Sequence, residues 1–139
     1  MPAYRTASEA ETIALGEHLS RELRCGVVLL IGNLGAGKTT LAKGLVKGLG
    51  AADPADVSSP TFTLIHEYGG GRVYHVDLYR LETLREVETL GLEELFERDA
   101  LVLIEWGERF ERFLPEERIE IRIRAAPNEE REIEVTRAR

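Results

Sequence analysis

The chain has 139 residues, 43% apolar and 31% charged, the balance of a soluble globular protein with room for one domain, residues 1–139, and not for a two-domain enzyme. Its net charge is −7, with 25 acids against 18 bases, which argues against a protein that grips nucleic acid unaided, because a basic face supplies most of that affinity. The longest aliphatic run, Val27–Ile31, is far too short for a bilayer, and the opening residues carry no apolar signal-like stretch, so neither a membrane segment nor a secretory signal is expected.

In chain order, Ser8-Glu9-Ala10-Glu11 reads as a capping box opening a helix, with Ile13, Leu15, Leu19 and Leu23 on its apolar face and an end near Gly26. The lone Cys25 excludes an internal disulfide and fits a reducing, cytoplasmic setting; with no histidine nearby in sequence, it reads as a strand-edge residue before it reads as a nucleophile. Val27–Ile31 is continuously apolar, as in a strand covered on both faces. A glycine-rich loop follows, then a helix from about Lys38 to Leu49 closed by Gly48 and Gly50.

After a loop punctuated by Pro54 and Pro60, Thr61–Tyr68 and Arg72–Asp77 read as strands joined across Gly69-Gly70-Gly71. Glu82–Glu97 is helical with a break near Gly91, and Ala100–Glu105 is a second buried strand. Glu108–Phe113 is a short helix stopped by Pro115; its alternating charges read as solvated surface. Arg118–Arg124 and Glu130–Arg137 flank Pro127-Asn128 as a terminal hairpin. The expected fold is α/β: a three-layer P-loop NTPase-like sandwich with a mixed sheet and a C-terminal β-hairpin.

Gly32-Asn33-Leu34-Gly35-Ala36-Gly37-Lys38-Thr39 meets every fixed position of G-x-x-x-x-G-K-[ST], with an apolar strand before it and a helix after it. Gly35 and Gly37 permit backbone angles that bring main-chain N–H groups together around an anion, and the helix N-terminus adds its positive end. Leu34, Gly35, Ala36, Gly37, Lys38, Thr39 and Thr40 are therefore the expected nucleotide contacts, with Lys38 directed at phosphate and the Thr39 hydroxyl at Mg²⁺.

A P-loop also needs a carboxylate at the end of a nearby strand. Ala100-Leu101-Val102-Leu103-Ile104-Glu105 supplies the better one and Val73-Tyr74-His75-Val76-Asp77, of mixed polarity, a second; one can hold metal while the other positions water or senses the γ-phosphate. Ser58-Ser59-Pro60-Thr61 occupies the place of a segment that orders around the γ-phosphate, with Thr61 offering a hydroxyl, although a Ser/Pro loop reads the same way. His18, His66 and His75 have no metal-site spacing. His75 reads as a strand histidine on a half-buried face, with a place beside the nucleotide as the alternative. Trp106 reads as a core or pocket residue beside Glu105.

Together, G-N-L-G-A-G-K-T-T-L at 32–41, S-P-T-F-T-L at 59–64, Y-H-V-D-L-Y-R-L at 74–81 and I-E-W-G-E at 104–108 resemble the bacterial TsaE family, also called YjeE, of small P-loop ATPases. The resemblance runs over essentially the whole chain. It implies ATP and Mg²⁺ as cofactors, and weak hydrolysis that rises with the transferase subunits TsaD and TsaB. It implies a part in the threonylcarbamoyl modification of adenosine 37 in tRNA, which would be met only indirectly, through that complex.

Carried onto this sequence, the resemblance makes Lys38 the phosphate lysine and Thr39 and Glu105 the metal-linked pair. It makes Asp77 the acid that supports hydrolysis and Thr61 part of the switch-like segment. Arg131 and Glu9 are implied to border the adenine. Asn33 stands where the family usually has Asp, and Gly107 where Pro or Ala is common. A small-molecule kinase and a non-catalytic nucleotide-gated module are the competing readings. The first lacks a long arginine-bearing loop, since Arg80, Arg85 and Arg98 are scattered.

Overall fold

The computed structural model describes residues 2–138. Its elements are β1 (Ala3–Thr6), α1 (Glu9–Leu19), β2 (Gly26–Ile31), α2 (Lys38–Gly48), β3 (Ile65–Tyr68), β4 (Val73–Asp77), α3 (Leu84–Glu88), α4 (Leu92–Phe96), β5 (Leu101–Glu105), β6 (Arg118–Ala125) and β7 (Arg131–Ala138). A tight helical segment over Gly107–Phe113 links β5 to β6.

The strands form one mixed sheet in the order β1-β7-β6-β2-β5-β4-β3. The central four, β6, β2, β5 and β4, are parallel; β3 and β7 flank them antiparallel, and β1 pairs antiparallel with β7 and so runs with the central strands. β2 lacks polar residues because both its faces are covered. Val28 and Leu30 pack toward α1 and α2 with Leu41, Leu45, Leu101 and Leu103. Val27 and Leu29 point the other way with Val102 and Ile104 of β5, where Leu81, Val87, Leu92 and Phe110 of the covering layer meet them. This is the expected three-layer sandwich, with the terminal β6–β7 hairpin in place.

Strand alternation decides where the polar residues of β4 and β5 lie. Leu101, Leu103 and Glu105 share one face, and Val73, His75 and Asp77 share the same face of the neighbouring strand, which is the face that α2 covers. The parallel register sets Asp77 opposite Glu105 and Leu30 opposite Glu105 on the other side.

Helix α1 starts at Ser8, whose Oγ accepts the Glu11 N–H at 3.1 Å. The return arm of the expected box lands one residue early, because Glu11 Oε1 accepts from the Ala7 N–H at 2.7 Å. The seat of α1 on α2 is also unlike the expected aliphatic stripe: Leu19 and Leu23 are buried, but Ile13 and Leu15 only half so. The backbones meet directly at Gly16 and Gly44. A Cβ on Gly44 would lie 2.1 Å from Ile13 O, and one on Gly16 2.6 Å from Leu41 O. Gly48 likewise sits inside α2 against Ser20 and does not close it. Closure comes from Gly50, whose N–H donates to Lys47 O while Ala51 N–H donates to Val46 O.

Two further expectations are corrected. The strand drawn from Thr61 begins at Ile65, since Thr61–Leu64 forms a turn in which Leu64 takes φ +72° and donates its N–H to Pro60 O at 2.6 Å. Hydroxyl bonds from that segment to Asp77 compete with a strand ladder there. Strand β1, missing from the sequence reading, pairs with β7 from Ala3↔Glu134 to Thr6↔Arg131. Four residues of mixed polarity at a sheet edge give too little period to be seen. No helix among the described residues is long and apolar enough to cross a membrane.

Gly44→Ala should destabilise the protein by about 1–3 kcal/mol despite the better helix propensity of alanine, because the contacted atoms are backbone. Chemical denaturation checks this, and a gain in stability would contradict direct backbone contact between α1 and α2.

Candidate nucleotide-binding site

The loop after β2 turns sharply into α2. Gly35 takes φ +80° and Gly37 φ +114°, left-handed angles that a side chain would strain. Gly37 caps α2, whose first N–H groups have no intrahelical acceptor, as at every helix start. Those donors and the positive helix end face a cleft of about 710 Å³, within the range of roughly 300–1,000 Å³ usual for cofactor sites.

Most of the expected residues meet at this cleft. Leu34, Gly35, Gly37, Lys38, Thr39 and Thr40 line it from the loop and α2. Thr61, Asp77 and Glu105 line it from the strand ends, and Glu9 and Arg131 from the far wall. Arg131 reaches the loop itself, its Nε 3.7 Å from where a Cβ on Gly37 would be. The short β1 explains how Glu9 arrives there: β1 pairs with β7, and Thr6 Oγ1 meets Thr12 Oγ1 at 2.7 Å, which fixes the start of α1 over the cleft. Ala36 is the expected contact that turns away. Its side chain is buried in the core beneath the loop, and its N–H donates to Asn33 O at 3.0 Å.

Lys38 is buried, with Nζ donating to Gly32 O at 2.7 Å and lying 3.5 Å from the centre of the Trp106 ring. Burial pushes its ammonium below the ordinary lysine value, while the negative charges of Glu105, Glu108 and Asp77 act to raise it. Trp106 holds φ +64°, uncommon for a bulky residue, and leans on the Tyr79 ring at 5.1 Å. In the sequence the indole reads as a core or pocket residue, with no sign of its contact with the lysine.

Two carboxylates end adjacent strands, and each is buried and engaged. Glu105 Oε2 accepts from Thr39 Oγ1 at 3.0 Å and lies 2.6 Å from His75 Nε2. Asp77 Oδ2 accepts from Ser59 Oγ at 2.8 Å and Thr61 Oγ1 at 3.1 Å, and its Oδ1 accepts from the Tyr79 N–H at 2.8 Å. His75 corrects the half-buried reading: it is fully buried, and its partner is Glu105. Its signal was available in the two-residue spacing to Asp77, which puts both on one strand face.

The donor set suits the group that such a loop implies. A hydroxyl and a carboxylate joined by a hydrogen bond are hard oxygen donors, and Mg²⁺ is ordinarily held by one or two such groups together with substrate phosphates and water. Thr39 and Glu105 would hold the metal, and Lys38 with the loop N–H groups would receive the phosphates. Bound there, the metal would supply charge neutralisation at the terminal phosphates.

Strand, glycine-rich loop and helix, with acids at the carboxyl ends of β4 and β5, put the chain in the P-loop NTPase-like class. Its relatives narrow this. The sequence model of the family described as Threonylcarbamoyl adenosine biosynthesis protein TsaE matches residues 6–133, and the chain belongs to that family. It is 44% identical over 136 residues to the tRNA threonylcarbamoyladenosine biosynthesis protein TsaE of Bacillus subtilis, covering 96% of this chain and 84% of that protein. The protein of the same description from Haemophilus influenzae is 46% identical over 99 residues, 70% of this chain and 61% of that one. The crystal structure of Bacillus subtilis YdiB superposes with a TM-score of 0.77 at 36% identity, over 99% of this chain and 84% of that chain.

Asp77→Ala removes the carboxylate oxygen that accepts from both hydroxyls of the 58–64 segment. Each such charge-assisted bond contributes about 1.5–3 kcal/mol. The Leu64 amide should then exchange with solvent at least roughly tenfold faster, since 1.4 kcal/mol is a factor of ten. Unchanged protection in a hydrogen-exchange measurement would show that the segment is held by other contacts.

Proposed function

We propose that the chain binds ATP with Mg²⁺ in the loop Gly32–Thr39 and is an ATPase whose weak hydrolysis is stimulated by partners. It serves the threonylcarbamoyl modification of adenosine 37 in tRNA by acting on a TsaB–TsaD transferase complex. The observation that carries this reading is the convergence of Thr39, Glu105 and Asp77 on the cleft beside Lys38. Lys38, Asp77 and Glu105 are the catalytic set, and Thr39 with Glu105 holds the metal. Leu34, Gly35, Gly37, Lys38, Thr39 and Thr40, with Arg131 and Glu9, surround the nucleotide.

The chemistry divides between the two acids. Glu105, tied to the Thr39 hydroxyl, serves the metal side of the cleft. Asp77, tied to Ser59 and Thr61, couples hydrolysis to the 58–64 segment, so that release of those hydroxyls reports the state of the terminal phosphate. Lys38 exchanges its contacts with Gly32 O and the Trp106 face for phosphate oxygens. The acidic balance of the chain is consistent with tRNA being met through the transferase complex and not by this chain alone. A cytoplasmic, single-domain protein completes the reading.

ATPase assays with and without the TsaB–TsaD pair and tRNA test it. Activation by roughly an order of magnitude or more, lost in Asp77→Ala with ATP binding retained, is expected for an acid acting in the transition state and not in ground-state binding. Lys38→Ala should instead weaken nucleotide binding itself. Rapid phosphoryl transfer to a small acceptor, or no response to the partners, would overturn the reading.

A further inference from the structure

His75 is the one fully buried histidine, and no step of the proposed function uses it. It sits on β4 two residues before Asp77 and on the same face, opposite Leu103 of β5. Its Nε2 lies 2.6 Å from Glu105 Oε2, the same oxygen that accepts the Thr39 hydroxyl at 3.0 Å. A carboxylate oxygen only accepts, so Nε2 carries the proton and donates. The other ring nitrogen, Nδ1, is buried with no hydrogen-bond partner among the described residues.

That half-satisfied ring is informative. A histidine kept for packing would have both nitrogens paired or give way to an apolar residue, since an unpaired buried polar atom is destabilising. Here the ring forgoes one partner and keeps the bond to the acid. With two donors on Oε2, the Glu105 carboxylate is held in one orientation, and no hydrogen bond among the described residues engages Oε1. The Thr39 hydroxyl can keep donating its proton to Oε2 while a lone pair faces a metal.

We propose that His75 is a positioning residue, whose Nε2–H fixes the Glu105 carboxylate so that the Thr39–Glu105 pair is preorganised for Mg²⁺ delivered with the nucleotide. The proposal rests on the reading of this cleft as a Mg-nucleotide site. Its effect falls on metal affinity and not on affinity for free nucleotide, because His75 lies behind Glu105 and does not line the cleft.

The test measures binding of a fluorescent ATP analogue while Mg²⁺ is titrated, for the wild type, His75→Gln, His75→Asn and His75→Leu. An extended glutamine puts an amide N–H close to the position of Nε2, whereas asparagine reaches only as far as Nδ1. His75→Gln should stay close to the wild type. His75→Asn and His75→Leu should need about 10- to 100-fold more Mg²⁺ for half-saturation, the usual cost of losing a residue that orients a metal ligand. Binding without metal should be unchanged in all four.

Thermal unfolding of each variant accompanies the titration, and if His75→Leu does not fold, the Gln–Asn pair decides. Equal Mg²⁺ requirement in Gln and Asn, or Asn indistinguishable from the wild type, would overturn the positioning role. If the wild type itself binds nucleotide with no dependence on Mg²⁺, the reading of the cleft fails and the inference with it.

Discussion

Everything at the cleft depends on parallel strands ending at one level. β2, β5 and β4 run side by side in register, so that Leu30, Glu105 and Asp77 lie across from one another where the P-loop leaves the sheet. A parallel sheet covered on both faces leaves its carboxyl ends as the place where polar groups can gather without entering the core. The hydrogen bond from Thr39 to Glu105 then ties the first turn of α2 to the end of β5. Loop, helix and sheet are held as one unit by that contact.

The same constraint explains features that look unrelated. α2 must begin at the end of β2 and lie across the sheet, and α1 must pack on α2 while its own start reaches the cleft. Glycines at the α1–α2 crossing let the two backbones touch, and β1 anchors the start of α1 through its pairing with β7. The far wall carrying Glu9 and Arg131 is thereby brought to the loop from both ends of the chain. Opposite it, the 58–64 segment is drawn in by two hydroxyls on Asp77 and gives up strand pairing until Ile65.

Much of this was legible in the sequence, for identifiable reasons. The P-loop was readable because its glycines, lysine and threonine answer to backbone geometry and charge at fixed spacing, and β2 and β5 because burial on both faces leaves uninterrupted apolar runs. Glu105 stood out as the acid closing such a strand, whereas Asp77, at the end of a strand of mixed polarity, was the weaker candidate. What was hidden depends on contacts between distant segments. Gly16 and Gly44 show no helical signal of their close approach, and β1 is too short and too polar to announce itself. His75 looked like an ordinary strand residue because its meaning lies in the facing residue of the next strand. The Thr61–Leu64 turn was masked by β-branched and aromatic residues that favour a strand locally but are overruled by side-chain bonds to Asp77.

The central claim is that the Thr39–Glu105 pair is the metal side of a nucleotide site built at the strand ends. The most direct measurement is anomalous diffraction from crystals grown with Mn²⁺ and a non-hydrolysable ATP analogue. The account predicts one anomalous peak beside Thr39 Oγ1 on the Glu105 side, with the phosphates wrapped by the loop Gly32–Thr39. A peak remote from Thr39, or nucleotide bound outside that loop, would contradict it.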